Sequence, residues 1–241
     1  MAEITFGIAT SKDEIRQVCR LRYRVFVEAL GEEQRFADSE AKTIREPYDD
    51  TGVIVVAKKG TTVVGTVRIN CWRDLPSDLI DTSTGIPRYL ANAGMKLPDC
   101  INQRVVASSA KICAEEIPDR FPVSGFEQPV SLGRRLMVEQ YRIYSSMGIE
   151  LHFGVGKPEL AGFFRSLGYR RYRETIGGTF EESEQPHLLG YLVVFDRDHL
   201  SRTGSLFKDY VPRDPLREER VRWLLKALAP LTAAESGELR M

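Results

Sequence analysis

The stretch Gln128-Pro-Val-Ser-Leu-Gly-Arg-Arg135 decides the predicted fold, because it places a glycine-containing turn directly before a helix. Apolar residues then recur at helical spacing as far as Tyr144, and Gly148 predicts the end of that helix. From Ile149 to Val155 apolar and polar residues alternate, which is the pattern of a half-buried strand. The stretch therefore predicts a turn, a helix and a strand in immediate succession.

A second helix and strand follow directly. Pro158 opens the helix, where a missing backbone N–H costs nothing, and Gly168 predicts its end. Residues Tyr169 to Arg173 predict a returning strand. The first N–H groups of a helix are unpaired and favour a phosphate, so the turn before the first helix is a candidate phosphate site. An ordinary crossover unit has the same pattern, and the turn alone does not separate the two interpretations.

Length and composition exclude several classes of protein. The 241 residues suit one large domain or one domain with an insertion. Basic and acidic residues number 34 each, which gives no global attraction to nucleic acid. No apolar run reaches the roughly 18 residues of a membrane span, and the first residues do not resemble a signal peptide. The four cysteines show no CxxC spacing, so we expect no metal, no disulfide framework and a reduced, cytoplasmic protein.

We predict a main domain and a C-terminal extension. The domain covers residues 1–200 and contains an insertion at about 71–102, which is rich in Pro, Ser, Thr, Asp and Gly. The extension covers residues 201–241, where 220–228 has the pattern of a short amphipathic helix.

The first helix carries a cation where its apolar stripe should continue. Ser11 with Glu14 predicts a capping box at the helix start. Arg22 completes the stripe formed by Ile15, Val18, Cys19, Val25, Phe26 and Ala29. An isolated buried charge is very costly, so Arg22 must be paired or must face a polar cavity. It is therefore either one partner of an internal salt bridge or an arginine of a functional site.

Acidic residues cluster between this helix and the next strand. Residues 31–50 are polar and acidic, and Asp49 and Asp50 lie at their end. Such a run is usually a solvated loop, but a loop directly before a strand can hold a carboxylate over the end of a sheet. Residues 53–58 and 62–70 then predict a hairpin, with Arg68 as a second cation in an apolar segment.

Two motifs resemble those of the GCN5-related N-acyltransferase (GNAT) superfamily. Gln128-Pro-Val-Ser-Leu-Gly133 is similar to its pyrophosphate turn, Gln/Arg-x-x-Gly-x-Gly/Ala, with Ser131 in place of the first glycine. Phe163-Phe-Arg-Ser-Leu-Gly-Tyr169 is similar to its aromatic segment. The order of the predicted elements also matches. The resemblance implies an α/β (α+β) fold, with a mixed, mostly antiparallel central sheet flanked by helices.

The N-terminal third resembles one branch of this superfamily, the acyl-homoserine-lactone synthases and the related long-chain N-acyl amino acid synthases. The similarity lies in Leu21-Arg22-Tyr-Arg-Val-Phe26, in Tyr48-Asp49-Asp50 and in Gly65-Thr-Val-Arg68. Arg22, the cation that interrupts the apolar stripe, falls on a matching motif position.

Several residues depart from the branch pattern. Glu32 stands where the lactone synthases usually have Trp, and Ser108 and Lys111 stand where they have Glu and Arg. Phe164 stands where the superfamily often has the Tyr that protonates the leaving thiolate. These changes argue against a homoserine lactone product and leave acyl transfer to another amine.

On the donor side, the resemblance implies acyl-CoA or the phosphopantetheine of an acyl carrier protein, without a metal. The residues expected to bind its phosphates are Gln128, Ser131, Leu132, Gly133 and Arg134. A free N–H between Ser108 and Lys111, at a bulge in the strand predicted over 103–114, would polarise the thioester carbonyl.

On the acceptor side, the resemblance implies the amine of a small amino-acid-like molecule. Asp49 or Asp50 would bind or deprotonate this amine, and Phe26 matches a substrate-binding position. Arg22 and Arg68 would either hold an acceptor carboxylate or fix the acidic loop by ion pairs.

The sequence therefore predicts an N-acyltransferase that uses a thioester donor, and two alternatives stay open. One is a catalytically inactive module of the same fold that binds an acyl thioester, which Ser131 and Phe164 favour. The other is an aminoacyl-tRNA-dependent transferase of similar fold, which would need a basic face that the neutral net charge does not indicate.

Overall fold

The structure is a computed structural model that describes residues 3–92, 94–124, 126–175 and 187–233. Its first unit comprises Met1–Asn70 and Ser109–Tyr144, and its second comprises Cys71–Ser108 and Ser145–Met241. The elements in chain order are β1 (Ile4–Ile8), α1 (Lys12–Arg22), β2 (Ala37–Asp38), β3 (Thr43–Ile44), β4 (Val53–Lys59), β5 (Thr62–Cys71), α2 (Arg88–Asn92), β6 (Val106–Ala114), α3 (Leu132–Ser146), β7 (Leu151–Gly156), α4 (Ala161–Ser166), β8 (Arg170–Thr175), β9 (His187–Val193), α5 (Arg197–Arg202) and α6 (Pro215–Ala233).

The first unit is built on the strand order β1-β4-β5-β6. β4 pairs antiparallel with both β1 and β5. α1 begins at the predicted capping box: Ser11 Oγ accepts from the Glu14 N–H, and the Glu14 carboxylate accepts from the Ser11 N–H. Buried apolar side chains of α1 and the strands then form one cluster, which consists of Val18, Leu21, Ile54, Val56, Val63 and Cys113.

A glycine in β5 lets α3 pack closely on the sheet. A Cβ at Gly65 would lie 2.7 Å from Leu136 Cδ1, so any larger residue would displace this side chain. Leu132 and Leu136 are buried at this contact. The start of α3 is thereby held against the strand that carries Arg68.

The second unit is built on the strand order β6-β7-β9-β8, in which β7 and β8 each pair antiparallel with β9. Aromatic rings fill part of its core: Trp72 stacks on Phe153, and Tyr172 meets Phe153 edge-on. Ile86 and Leu90, from the segment predicted as an insertion, are fully buried.

The seven strands form a mostly antiparallel sheet flanked by helices, which confirms the predicted fold class. One difference lies in β6, which begins at Val106 and not at Gln103. The side chain of Asn102 accepts from the Arg104 N–H, and this cap turns Gln103–Val105 into a 3-10 helix.

The C-terminal helix is longer than the 220–228 predicted from sequence. α6 starts at Pro215, but its buried positions begin only at Val221, so the apolar pattern does not reveal the first turn. No helix among the described residues is long and apolar enough to cross a membrane.

The turn at Gly168 allows a specific test of packing. Gly168 has a φ of 92°, and a Cβ there would overlap the side chain of Leu200. We expect Gly168→Ala to lower the free energy of unfolding by about 2–5 kcal/mol, from left-handed backbone strain and overpacking together. Gly148→Ala is the matched control, because Gly148 has a φ of 75° and open space around it, and should cost only about 1–2 kcal/mol. Urea unfolding measures both values, and equal losses would contradict the packing.

Candidate active site

Arg22 ends α1, and the helix continues as a π-helix over Tyr23–Ala29. π-helical segments are rare and frequently lie at functional sites. Arg22 is fully buried in the first unit. The cation that interrupts the apolar stripe therefore points inward and needs a partner.

Asp49 is that partner, and it joins Arg22 to Arg68. Arg22 Nη1 donates to both carboxylate oxygens of Asp49 at 2.8 Å. Arg68 Nη1 donates to Asp49 Oδ1 at 3.0 Å. A single carboxylate therefore links the end of α1 to β5.

Glu46 extends this network to Lys111. Glu46 pairs with Arg68, and its other carboxylate oxygen lies 3.1 Å from Lys111 Nζ. Lys111 Nζ also donates to Gln34 Oε1 at 2.6 Å and lies 5.4 Å from the centre of the Phe26 ring. Five side chains, each of a residue at most 9 % exposed, form what we call the buried ion cluster: Arg22, Glu46, Asp49, Arg68 and Lys111.

The local sequence explains how two carboxylates come to face inward. Pro47 opens a short 3-10 helix, Pro47–Asp49. The Asp49 carboxylate accepts from the Glu46 N–H at 2.8 Å, and the Asp49 N–H donates to the Glu46 carbonyl oxygen. This reciprocal turn fixes both residues directly before β4.

The charges of the cluster keep Asp49 ionised. Burial disfavours the carboxylate, but the positive charges of Arg22 and Arg68 outweigh this effect and lower the pKa of Asp49. For Arg68 burial acts in the opposite direction to the charges of Glu46 and Asp49, which prevail and raise its pKa. A carboxylate held ionised in this way is a weak general base. The cluster therefore suits binding and orienting an amine better than deprotonating it.

One edge of the Arg22 guanidinium, formed by Nε and Nη2, takes no part in the pairing with Asp49. Its Nε and Nη2 atoms are buried and make no hydrogen bond with any described residue. Together these two donors form the edge that binds a carboxylate through two parallel hydrogen bonds. The buried ion cluster has three cations and two carboxylates, so an additional anion would also balance its charge.

The backbone at Lys111 is irregular, at the place where the sequence predicts a bulge. Lys111 has a φ of 55°, a left-handed conformation that is uncommon for a residue other than glycine. In a regular strand Ser109 and Lys111 would share one face. Ser109 instead receives a hydrogen bond from Gln140 of α3, whereas Lys111 reaches Glu46. The left-handed backbone at Lys111 therefore directs its side chain toward the buried ion cluster.

The structure separates the two aspartates that the sequence offers as alternatives. Asp49 lies in the buried ion cluster, whereas Asp50 is exposed and pairs with Arg45 at 2.6 Å. Phe26 is half-buried and lies against Lys111. Of the residues predicted to act on the acceptor, Asp50 alone is therefore outside this group of contacts in the described part of the chain.

The residues predicted to bind phosphate surround the start of α3. Ser131 directly precedes the helix, and its carbonyl oxygen accepts from the Arg135 N–H as the first helical hydrogen bond. Gln128 and Arg134 are exposed, and a Cβ at Gly133 would meet open space. The first N–H groups of this 15-residue helix have no helical carbonyl partner, and exposed side chains lie beside them. Leu132 instead points into the core.

Ser108 lies in the second unit and has a different environment from the other predicted residues. It is fully buried, and its hydroxyl is hydrogen-bonded to Trp72 and Tyr89. Phe164 belongs to the same unit, where its ring covers β7: a Cβ at Gly154 would lie 2.9 Å from the ring.

Other titratable residues have structural roles. Burial lowers the pKa of His152 to about 3, so this ring is neutral near pH 7, and Nδ1 is hydrogen-bonded to the Tyr169 hydroxyl. Burial raises the pKa of Cys113 to about 12, which keeps it a thiol in the apolar cluster. Among the described residues, no group of three or more His, Cys, Asp or Glu could hold a metal ion.

Sequence reasoning missed Glu46 and Gln34 as members of this network. Glu46 lies in an acidic run, where a solvated side chain is the usual expectation. Its signal was the Glu46-Pro-Tyr-Asp49 spacing, which is typical of a tight turn that fixes the first and last residues. Gln34 gives no signal, because only the tertiary fold brings it to Lys111.

No protein-family model matches the sequence, and no curated protein matches it. Solved structures do match. The CoA-dependent acyl-homoserine lactone synthase BjaI, solved with MTA, is 16 % identical, with 92 % of this chain and 100 % of that chain covered and a TM-score of 0.59. A second CoA-dependent acyl-homoserine lactone synthase, MesI, is 15 % identical, with 87 % and 97 % covered and a TM-score of 0.56.

FeeM, an N-acyl amino acid synthase from uncultured soil microbes, is 16 % identical, with 88 % of this chain and 100 % of that chain covered and a TM-score of 0.54. At these identities the likeness concerns the fold. The chain has the GNAT-like fold of the acyl-homoserine lactone synthases and of this N-acyl amino acid synthase, as the sequence motifs predicted.

Adjacent aspartates provide a matched test of the buried ion cluster. Asp49→Asn removes the negative charge between Arg22 and Arg68, and we expect it to lower the free energy of unfolding by about 3–5 kcal/mol. Asp50→Asn breaks only an exposed pair and should cost less than about 1 kcal/mol. Chemical denaturation at pH 7 compares the two variants, and losses of similar size would contradict the buried pairing.

The lowered pKa of Asp49 fixes the pH range of this effect. A carboxylate whose pKa is depressed by folding stabilises the protein fully above its unfolded pKa of about 3.9, and this contribution is lost as the pH falls through the folded value. The stability difference between wild type and Asp49→Asn should therefore stay constant from pH 7 to 5 and shrink only below about pH 4. A difference that shrinks between pH 7 and 5 would argue against an ionised Asp49.

Proposed function

We propose that the protein is an N-acyltransferase. It moves an acyl group from acyl-CoA, or from the phosphopantetheine of an acyl carrier protein, to the amine of a small amino-acid-like acceptor. The observation that carries this proposal is the edge of Arg22, whose Nε and Nη2 are buried beside an ionised Asp49 and have no hydrogen-bond partner among the described residues. The fold that the chain shares with acyl-transferring synthases supports acyl transfer in general.

On the acceptor side, the charges of the buried ion cluster match both ends of an amino acid. The carboxylate of the acceptor would take the free edge of Arg22 through two hydrogen bonds. Its ammonium group would then lie near Asp49 or Glu46, which both pair with Arg68. Phe26 would flank the acceptor next to Lys111.

On the donor side, the first N–H groups of α3, which have no helical carbonyl partner, would bind the phosphates. Gly133 leaves open space at this point, and the exposed side chains of Gln128 and Arg134 would add hydrogen bonds and charge. An N–H of β6 between Ser108 and Lys111 would polarise the thioester carbonyl. Cys19, Cys71 and Cys113 are free and buried, which supports a reducing compartment such as the cytoplasm.

The chemistry follows from these positions. The ammonium group first loses a proton to water, since Asp49 is a weak base. The free amine attacks the thioester carbonyl, its nitrogen forms the amide bond, and the carbon–sulfur bond breaks. The leaving thiolate is stable enough to depart without a side-chain acid, because a thiol has a pKa of about 8.5. It then takes up the second proton of the amine.

A binding module without turnover is the second candidate. Phe164 has no hydroxyl, and both carboxylates of the buried ion cluster are engaged in ion pairs. These features favour a protein that binds an acyl thioester and does not transfer it. Donor binding by calorimetry, combined with no thiol release, would select this alternative.

The acceptor carboxylate can be tested with paired compounds. With acyl-CoA or acyl carrier protein as donor, we expect thiol release with amino acids and at least about tenfold lower kcat/KM with the corresponding amino acid amides, because a neutral amide leaves the edge of Arg22 unpaired. Arg22→Lys keeps the positive charge but loses that edge, and it should remove this preference. No thiol release with any donor across an amine panel would contradict the proposed function.

The donor phosphates can be tested at Gly133. Because a side chain there meets open space, we expect Gly133→Ala and Gly133→Asp to fold, and only the aspartate to repel a phosphate. The KM for the donor should rise about fivefold or more in Gly133→Asp relative to Gly133→Ala, with the melting temperature of both variants unchanged or higher. Equal KM values for the donor in the two variants would show that its phosphates do not bind at the start of α3.

A further inference from the structure

Ser108 is buried, and its hydroxyl joins two aromatic side chains. Trp72 Nε1 donates to Ser108 Oγ at 3.3 Å, and the Tyr89 hydroxyl shares a short hydrogen bond with the same oxygen. All three residues belong to the second unit. A serine oxygen engaged by two neighbours in this way holds them in place.

Trp72 packs against further aromatic rings of the second unit. Trp72 stacks on Phe153 with 5.6 Å between the ring centroids, and Phe153 meets Tyr172 edge-on at 5.4 Å. The Tyr172 hydroxyl donates to the Lys96 carbonyl oxygen. Residues of the 71–102 segment are therefore fastened to β6, β7 and β8 by ring contacts and hydrogen bonds, and they form a fixed wall.

The position of this wall relative to β6 gives it a role in the proposed reaction. The proposed function, on which this inference rests, places the thioester carbonyl beside β6 near Ser108. The Ser108 side chain leaves β6 toward Trp72 and Tyr89, because its hydroxyl is hydrogen-bonded to both of these aromatic residues. We propose that Trp72 and Tyr89, held by Ser108, form the end wall of the acyl-group site and restrict the donor to short acyl groups.

The physical basis of this selection is close packing. Trp72 is 2 % exposed and stacks on the fully buried ring of Phe153, so the wall is close-packed. Each methylene that enters an apolar pocket raises affinity about fourfold. A methylene that meets a close-packed wall gains nothing and must displace side chains. Affinity therefore rises with acyl length over the first few carbons and then falls.

Trp72 supplies its own readout of binding. The chain has two tryptophans, and the other, Trp223, is partly exposed. In the Trp223→Phe protein all tryptophan fluorescence comes from Trp72, so binding can be followed without turnover. We expect butyryl-CoA to change the emission of Trp72 and CoA alone to leave it unchanged. An equal change with CoA and with every acyl-CoA would overturn the proposal.

Substitutions in the wall can be tested by comparing the turnover of acyl-CoA donors with short and long acyl groups. We expect Trp72→Leu and Tyr89→Ala to raise the ratio of kcat/KM for decanoyl-CoA over butyryl-CoA at least about tenfold. Tyr89 is half-buried, so its variant keeps the test valid if Trp72→Leu fails to fold. Phe207→Leu changes a fully buried ring elsewhere in the second unit, so it should leave the ratio unchanged.

The outcomes separate this inference from the proposed function. An unchanged ratio in folded Tyr89→Ala, or a wild-type preference for decanoyl-CoA, would overturn the wall. If wild type releases no thiol with any donor, the proposed function fails, and the fluorescence series still decides whether an acyl chain reaches Trp72.

Discussion

The carboxylate of Asp49, held between Arg22 and Arg68, is the interaction on which the first unit depends. It joins the end of α1, the turn before β4 and strand β5 through one buried group. Burying such charges is costly, and well-packed apolar residues would often stabilise a protein as well or better. Stability alone therefore does not explain the arrangement. The free edge of Arg22 and the excess of one cation are consistent with a ligand carboxylate.

The fold was predictable because its signals are local. The capping box at Ser11, the alternation from Ile149 and the turn before α3 each follow from neighbouring residues, and all of them appear in the structure. Arg22 was also visible, since a cation in an apolar stripe has few explanations. The sequence left open whether it pairs or binds, and the structure shows that Nη1 pairs with Asp49 while the other edge does not pair with any described residue.

The remainder of the site depends on contacts between distant segments. Gln34 and Glu46 both contact Lys111, although Lys111 lies far from both of them in the chain. Asp49 and Asp50 are neighbours of the same type, and only the geometry of the Pro47–Asp49 turn decides which of them faces inward. Ser108 likewise gave no sign of its two aromatic partners, because they come from a segment without periodicity. The composition of the 71–102 segment shows that it lacks a regular helix or strand pattern, but it does not predict which of its side chains contact the sheet.

The most direct test of the acceptor site observes the side chain of Arg22 itself. In a spectrum of the arginine Nε–H groups of ¹⁵N-labelled protein, assigned with Arg22→Lys, an amino acid that supports thiol release should shift the Arg22 resonance downfield as its carboxylate accepts the hydrogen bond. The corresponding amide should leave the resonance in place. An acceptor that is acylated and yet leaves the Arg22 resonance unmoved would contradict the account.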